Sequence, residues 1–162
     1  MRLYLVRHGK AELGFDDANR HLSERGRGDV VAVTEHLHSQ QISIDRVVHS
    51  TLVRARETAQ ILAAKLVPGI AVEELDGLEP WGNVSAFVKL AEQWHVDTMV
   101  CGHEPFMGEA ASHLIAGNGH SSVVEVKTAT VMALARNPYG KGWHMRWMIN
   151  PRVVRGPKQG ED

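Results

Sequence analysis

The sequence predicts an α/β fold, a three-layer α/β/α sandwich on a mostly parallel sheet with an antiparallel edge. Three observations predict it. Short apolar runs alternate with amphipathic helical stretches from Leu3 to Leu114, the pattern of repeated strand–helix units. After Gly117-Asn118-Gly119 the chain changes character, and two strand-like stretches meet at the turn Asn137-Pro138-Tyr139-Gly140, which suits an antiparallel edge. Its 162 residues, 43% of them hydrophobic, are enough to bury one core without disulfide or metal staples.

Taken in order, Leu3-Tyr4-Leu5-Val6 is a short apolar run that reads as a buried strand, and it ends abruptly in Arg7-His8-Gly9. Lys10 to His21 is polar and irregular, a loop. Ser23 suits a helix N-cap with Glu24 in the first turn, and the helix runs to about Gln40 with Val30, Val33, Thr34 and Leu37 on one face. Gly26 and Gly28 weaken its first turns. Asp45 to His49 is a second strand. From Thr51 to about Leu66 the set Leu52, Ala55, Ala59, Leu62, Ala63, Leu66 keeps helical spacing until Pro68-Gly69. Ile70 to Glu73 is a third strand and Leu75 to Gly82 a loop. Val84, Phe87, Val88, Ala91 and Trp94 mark another helix. Asp97 to Cys101 is a fourth strand, followed by a helix with Pro105 at its first position and Met107, Ala110, Ala111 and Leu114 on its buried face. Val123 to Ala135 and Trp143 to Ile149 are the last strands, with Trp143 and Trp147 in the core. Residues 1–150 read as one catalytic domain. Pro151 to Asp162 is polar, with little to bury, and reads as a mobile tail.

The formal net charge of −1 gives no support to nucleic-acid binding. One cysteine, Cys101, excludes an internal disulfide and suits a reducing compartment. Arg7 and His8 interrupt the first apolar run, so it does not read as a signal peptide, and no run is long enough to span a membrane. The expectation is a cytoplasmic protein with no membrane or nucleic-acid partner.

In parallel α/β sheets ligands bind outside the carboxyl ends of the strands. Here those ends carry Arg7-His8-Gly9, His49-Ser50 with Arg54 shortly after, Glu79-Pro80-Trp81-Gly82, and Gly102-His103-Glu104-Pro105. Arginines, histidines and two helix N-termini on one edge make an anion site, because guanidinium groups grip phosphate oxygens and helix N-termini add oriented amides. No glycine-rich phosphate loop is present, so side chains must do the binding. One neutral imidazole can attack phosphorus, and a second, protonated, can hold the equatorial oxygens. No HExxH, paired CxxC or Asp-rich cluster is present, and His36 and His38 cannot share a helix face. Chemistry with no metal and no cofactor is preferred.

Leu5-Val6-Arg7-His8-Gly9 resembles the RHG signature of the histidine phosphatase superfamily, the phosphoglycerate-mutase-like fold. Ser50-Thr51-Leu52-Val53-Arg54-Ala55-Arg56-Glu57-Thr58 resembles its S-x-x-x-R-A-x-x-T segment, and Gly102-His103-Glu104-Pro105 its G-H-x-P. The chain's length, Leu78-x-Pro80-x-Gly82 and Arg20-x-Leu22 look most like the SixA-type phosphohistidine phosphatases. The resemblance implies that His8 is the nucleophile and that Arg7, Arg54 and His103 form the phosphate pocket. Ser50 either fixes the second loop against substrate or caps the following helix, the cap being preferred. Arg20 would close over substrate from its loop, against the plainer reading of an exposed arginine. Arg56 reads as solvated or paired with Glu57. For the leaving group's acid the candidates are Glu79 and then Glu104, and a mechanism with no dedicated acid is preferred to both. His49 borders the site without a catalytic role, and Trp81 packs in its loop.

The resemblance and the lack of chain for an enclosing lid point to a phosphatase acting on a phosphorylated protein of the histidine-phosphotransfer type, through phospho-His8. A small-molecule phosphomonoesterase acting on a sugar phosphate or nucleotide is the first alternative, and a non-catalytic phosphate-binding module the second.

Overall fold

The computed structural model describes residues 1–117 and 123–156. Six strands form one sheet in the order β3-β2-β4-β1-β5-β6. Strands β1 (Arg2–Arg7), β2 (Arg46–His49), β3 (Val72–Glu74) and β4 (Thr98–Gly102) run parallel to their neighbours among these four, and β5 (Val131–Arg136) and β6 (Trp143–Ile149) add the antiparallel edge. The predicted α/β sandwich is what forms. Central β1 and β4 are apolar on both faces and almost entirely buried, as expected for parallel strands covered on both sides.

Helices α1 (Glu24–Ser39) and α2 (Val53–Leu66) cover one face, where Tyr4, Val6, Val47, Met99 and Ala133 meet Val30, Val33, Leu37, Ala59 and Leu62. Helices α3 (Val84–Ala91) and α4 (Phe106–Ala116) cover the other, where Leu3, Leu5, Val48, Val100 and Met132 meet Phe87, Phe106, Met107 and Ala110. Ser23 caps α1, its hydroxyl accepting from the Gly26 amide at 3.0 Å. Left-handed Gly117 ends α4; Asn118 and Gly119 lie outside the described residues.

Two expectations need correction, and a third is refined. The Val123–Ala135 strand is shorter: only Val131–Arg136 pairs, because Lys127–Thr130 makes a turn in which Ala129 takes a left-handed φ of 57°. Trp143 and Trp147 both pack against the core, as expected, but on opposite faces of the sheet. A bulge opposite Ala133/Leu134 inserts one residue into β6, so Trp143 joins the α3–α4 side and Trp147 leans on Tyr4 on the other. Pro151–Asp162 does not begin as a mobile tail. Pro151–Arg155 forms a short helix, α5, capped by Asn150. It is fastened to α1 by an Arg155–Asp29 ion pair, and Val154 packs against the core. The pattern hid this because the partner, Asp29, is remote in sequence; residues 157–162 lie outside those described.

Candidate active site

The carboxyl ends of β1, β2 and β4 meet on one edge. The His8 amide donates to the Gly102 carbonyl at 2.9 Å, and the Ser50 amide to the Cys101 carbonyl at 3.0 Å. His8 and His103 therefore face each other, ring centres 4.9 Å apart. His8 lies where α1 crosses closely. A Cβ on Gly9 would come within 2.7 Å of Val30 Cγ2, and one on Gly26 within 1.9 Å of the Lys10 carbonyl oxygen. Gly26 is thus no mere weakness in α1; it lets the helix seat against the Arg7–Lys10 turn. Thr58 completes the mount: its hydroxyl donates to the Arg54 carbonyl at 2.7 Å and accepts from the Gly9 amide at 3.1 Å.

His8 Nδ1 sits 2.6 Å from the Gly9 carbonyl oxygen. A carbonyl only accepts, so Nδ1 carries the proton and Nε2 keeps its lone pair. Arg54 Nε points at that lone pair from 3.3 Å. Burial, joined by the charges of Arg54, Arg7 and Arg20 and opposed by the Gly9 hydrogen bond, lowers the His8 pKa to about 4. His103 is lowered to about 2 by burial first, then by His8 and the same arginines. Among these cations alone its neutral form is favoured. His103 Nε2 and the Ser50 hydroxyl are 2.5 Å apart, and that hydroxyl accepts from the Leu52 amide at 3.3 Å. Ser50 does not cap α2, whose N-cap is Leu52; it holds the second histidine.

The arginines are aimed inward. Arg7 Nη1 donates to the Val126 carbonyl at 2.7 Å. Arg20 is not simply exposed: its Nη2 lies 2.9 Å from Asp17 Oδ1, and Asp17 also holds Arg54. Among the described residues four buried side-chain nitrogen or oxygen atoms lack a hydrogen-bond partner, and three of them, Arg7 Nε, Arg20 Nε and His103 Nδ1, belong to this group. Buried polar atoms are rarely left unpaired. Three together, two of them cationic, fit a multiply charged oxyanion.

Comparison with known proteins bears on the family and the fold. The model of the histidine phosphatase superfamily (branch 1) matches residues 3–85, just over half of the chain and the part holding Arg7, His8, Ser50 and Arg54. The chain belongs to the histidine phosphatase superfamily. Phosphohistidine phosphatase SixA of Escherichia coli (strain K12) is 26% identical over 156 residues, 93% of this chain and 94% of that one. The structure of the protein histidine phosphatase SixA complexed with tungstate superposes with a TM-score of 0.82 at 23% identity, covering 95% of this chain and 99% of that one, a likeness of fold. The mitochondrial serine/threonine-protein phosphatase Pgam5 of Drosophila ananassae is 42% identical over 65 residues, which span 40% of this chain but only 22% of that protein.

Within the superfamily fold, the two candidate acids separate. Glu79 receives hydrogen bonds from the Thr51 amide and hydroxyl on one oxygen and from the Gly77 amide on the other, at 2.8–3.3 Å. Burial pushes its pKa up, but these donors prevail and hold it below the usual range. It ties the β3–α3 loop to the start of α2 and is a poor proton donor. Glu104 is pushed up, chiefly by burial and against one hydrogen bond from the Gly108 amide. It lines a cleft with Arg7, Val123, Glu125, Val126 and Lys127. Of the two, Glu104 is the carboxylate whose protonated form is favoured.

Other expectations resolve locally. His49 is buried with Nδ1 on the Ser50 carbonyl, a structural contact. Trp81 is 73% exposed and does not pack. Glu57 takes the Leu22 amide, His21 and Arg27, not Arg56. Sequence reasoning missed Asp17 and the role of Thr58. Thr58 stood inside a quoted motif, where its i, i+4 spacing from Arg54 was the available signal; Asp17 carried none. Among the described residues no group of three His, Cys, Asp or Glu gathers as a metal cluster. No helix among them is long and apolar enough to cross a membrane.

Proposed function

We propose that this chain is a metal-independent phosphatase that carries the phosphoryl group on His8 Nε2, and that its substrate is a phosphohistidine on a protein. One observation carries the reading: a lone pair on His8 Nε2, fixed by the Nδ1 contact to Gly9, facing Arg54 beside the unpaired Arg7 Nε, Arg20 Nε and His103 Nδ1. The name and coverage of the Escherichia coli relative support the choice of substrate.

In the cycle, neutral His8 Nε2 attacks phosphorus in line. The P–N bond of the substrate breaks and its electron pair goes to the leaving imidazole. A phosphohistidine protonated on its other ring nitrogen leaves as neutral imidazole, so no protein acid has to act. Charge spreads over three equatorial oxygens, which Arg7, Arg20, Arg54 and His103 receive. The bound dianion reverses the electrostatics around His103 and favours its protonated form. Water then attacks phosphorus and its proton leaves with the phosphate. The pair of the second P–N bond returns to Nε2, and Nδ1 never gives up its proton to Gly9.

Incubation with a phosphorylated histidine-phosphotransfer protein is expected to release phosphate and, on rapid quenching, to yield an acid-labile phosphoenzyme. His8→Ala should abolish the phosphoenzyme and cut turnover about a thousandfold or more; retained activity overturns the mechanism. A chelator is expected to leave the rate unchanged. A second reading, a phosphomonoesterase, is favoured by the raised pKa of Glu104 beside the cleft, since an alkoxide needs an acid. Faster turnover of phosphate esters than of phosphoramidates, lost in Glu104→Gln, would select it.

A further inference from the structure

Asp17 opens a single 3-10 turn (Asp17–Asn19) on the loop that follows Gly9. The base of that loop is pinched by the Ala11–Leu22 bridge and fastened by Glu57, which accepts from the Leu22 amide at 2.7 Å. At its tip the Asp17 carboxylate spans two arginines. Oδ2 accepts from Arg54 Nη2 at 3.1 Å and Oδ1 lies 2.9 Å from Arg20 Nη2. The Asp17 carbonyl oxygen also accepts from Arg54 Nη1 at 2.6 Å.

These contacts use the Nη side of both guanidinium groups. Arg54 Nε is left pointing at His8 Nε2, and Arg20 Nε is buried with no partner. Arg20 is close enough to lower the pKa of both His8 and His103. The Asp17 side chain itself is 53% exposed, whereas the Arg54 side chain that it holds is buried. Two guanidinium groups repel each other, and an arginine on a loop loses rotamer freedom when it is held. A bridging carboxylate offsets both costs before substrate arrives.

We infer that Asp17 is a positioning residue for phosphoryl transfer, its carboxylate drawing Arg20 and Arg54 into a two-armed clamp beside His8. The inference rests on the pocket proposed above and adds a residue that acts only through the arginines.

The test compares Asp17→Asn, Asp17→Glu, Arg20→Ala and the Asp17→Asn/Arg20→Ala double variant of the full chain with wild type. It measures the Kd for inorganic phosphate and the KM and kcat on a phosphoramidate. Asp17→Asn is expected to raise Kd and KM about tenfold, the worth of one charge-assisted hydrogen bond, while kcat changes far less. Asp17→Glu, which keeps the charge, should recover most of that loss. The double variant should bind phosphate hardly worse than Arg20→Ala alone, since coupled residues are not additive. Unchanged or tighter phosphate binding by Asp17→Asn overturns the clamp, the tighter result making Asp17 a competitor. Fully additive losses, or equal damage from Asn and Glu, overturn it as well. Wild type failing to bind phosphate removes the pocket reading itself, whereas wild-type binding with an unaffected Asp17→Asn removes the clamp alone.

Discussion

His8 and His103 face each other among the arginines but are held by different means. His8 takes its tautomer from a backbone carbonyl, Gly9, whereas His103 rests on a side-chain hydroxyl, Ser50. The first contact survives any mutation that leaves the backbone in place; the second is lost with one atom. The carboxylates divide in the same residue-by-residue way. Glu79 is saturated by the Thr51 and Gly77 donors, while Glu104 keeps a raised pKa at the cleft. Glu79→Gln is expected to lower stability by about 1–2 kcal/mol through the lost charge-assisted bonds, seen in denaturant unfolding. Glu104→Gln should leave phosphoramidate turnover within about threefold of wild type, because the leaving imidazole is neutral. A loss of about a hundredfold, the scale of general acid catalysis, would show that Glu104 protonates the leaving group.

At the scale of elements, the site depends on how closely α1 and α2 approach the end of β1. Gly26 sits against Lys10 with no room for a methyl group, and the obstacle is backbone. Gly26→Ala is therefore expected to destabilise the fold by about 2 kcal/mol and to lower kcat/KM as well, because α1 must back away from the turn carrying His8. Unfolding and steady-state kinetics on the same preparation check both effects. The helix propensity of alanine favours α1 by up to about 1 kcal/mol; a stabilised variant would mean that this term wins. Thr58 shows the same dependence, since one hydroxyl joins α2 to Gly9. About one turn further along α1 from Gly26, α5 adds a second fastening, the Arg155–Asp29 pair.

For the whole molecule, concentrating cations around two buried histidines couples stability to pH. Both histidines titrate below their ordinary range, His8 at about 4 and His103 at about 2. The unfolded chain therefore binds protons first as the pH drops. The stability they contribute is complete above about pH 6.5 and is lost progressively as the pH falls toward those folded-state values. Glu79 and Asp17, also lowered, act in the same direction at lower pH, and Glu104, raised, opposes them. The melting temperature is expected to fall by roughly 5–10 °C between pH 7 and pH 5. Millimolar phosphate should recover part of the loss by binding the folded state. A flat profile over that interval, measured calorimetrically, would show that the two histidines are not held neutral.

The sequence by itself determined the alternation of strands and helices, and with it the order of the layers. Apolar periodicity is local, and each strand end announced its polar residues within a few positions. It also placed Arg7, His8, Arg54 and His103 on one edge, because parallel strands present the same end to the same side. Only the tertiary structure decided the rest. Asp17 bridges Arg20 and Arg54, Ser50 meets His103, Glu79 secures Thr51, and Arg155 reaches Asp29. Apart from the Asp17–Arg20 pair, these contacts join residues from 28 to 126 positions apart, and no spacing rule reaches that far. The bulge in β6 that sends Trp143 and Trp147 to opposite faces belongs to the same class. It depends on how β5 and β6 pair, and a strand carries no sign of the residue its partner will leave unmatched.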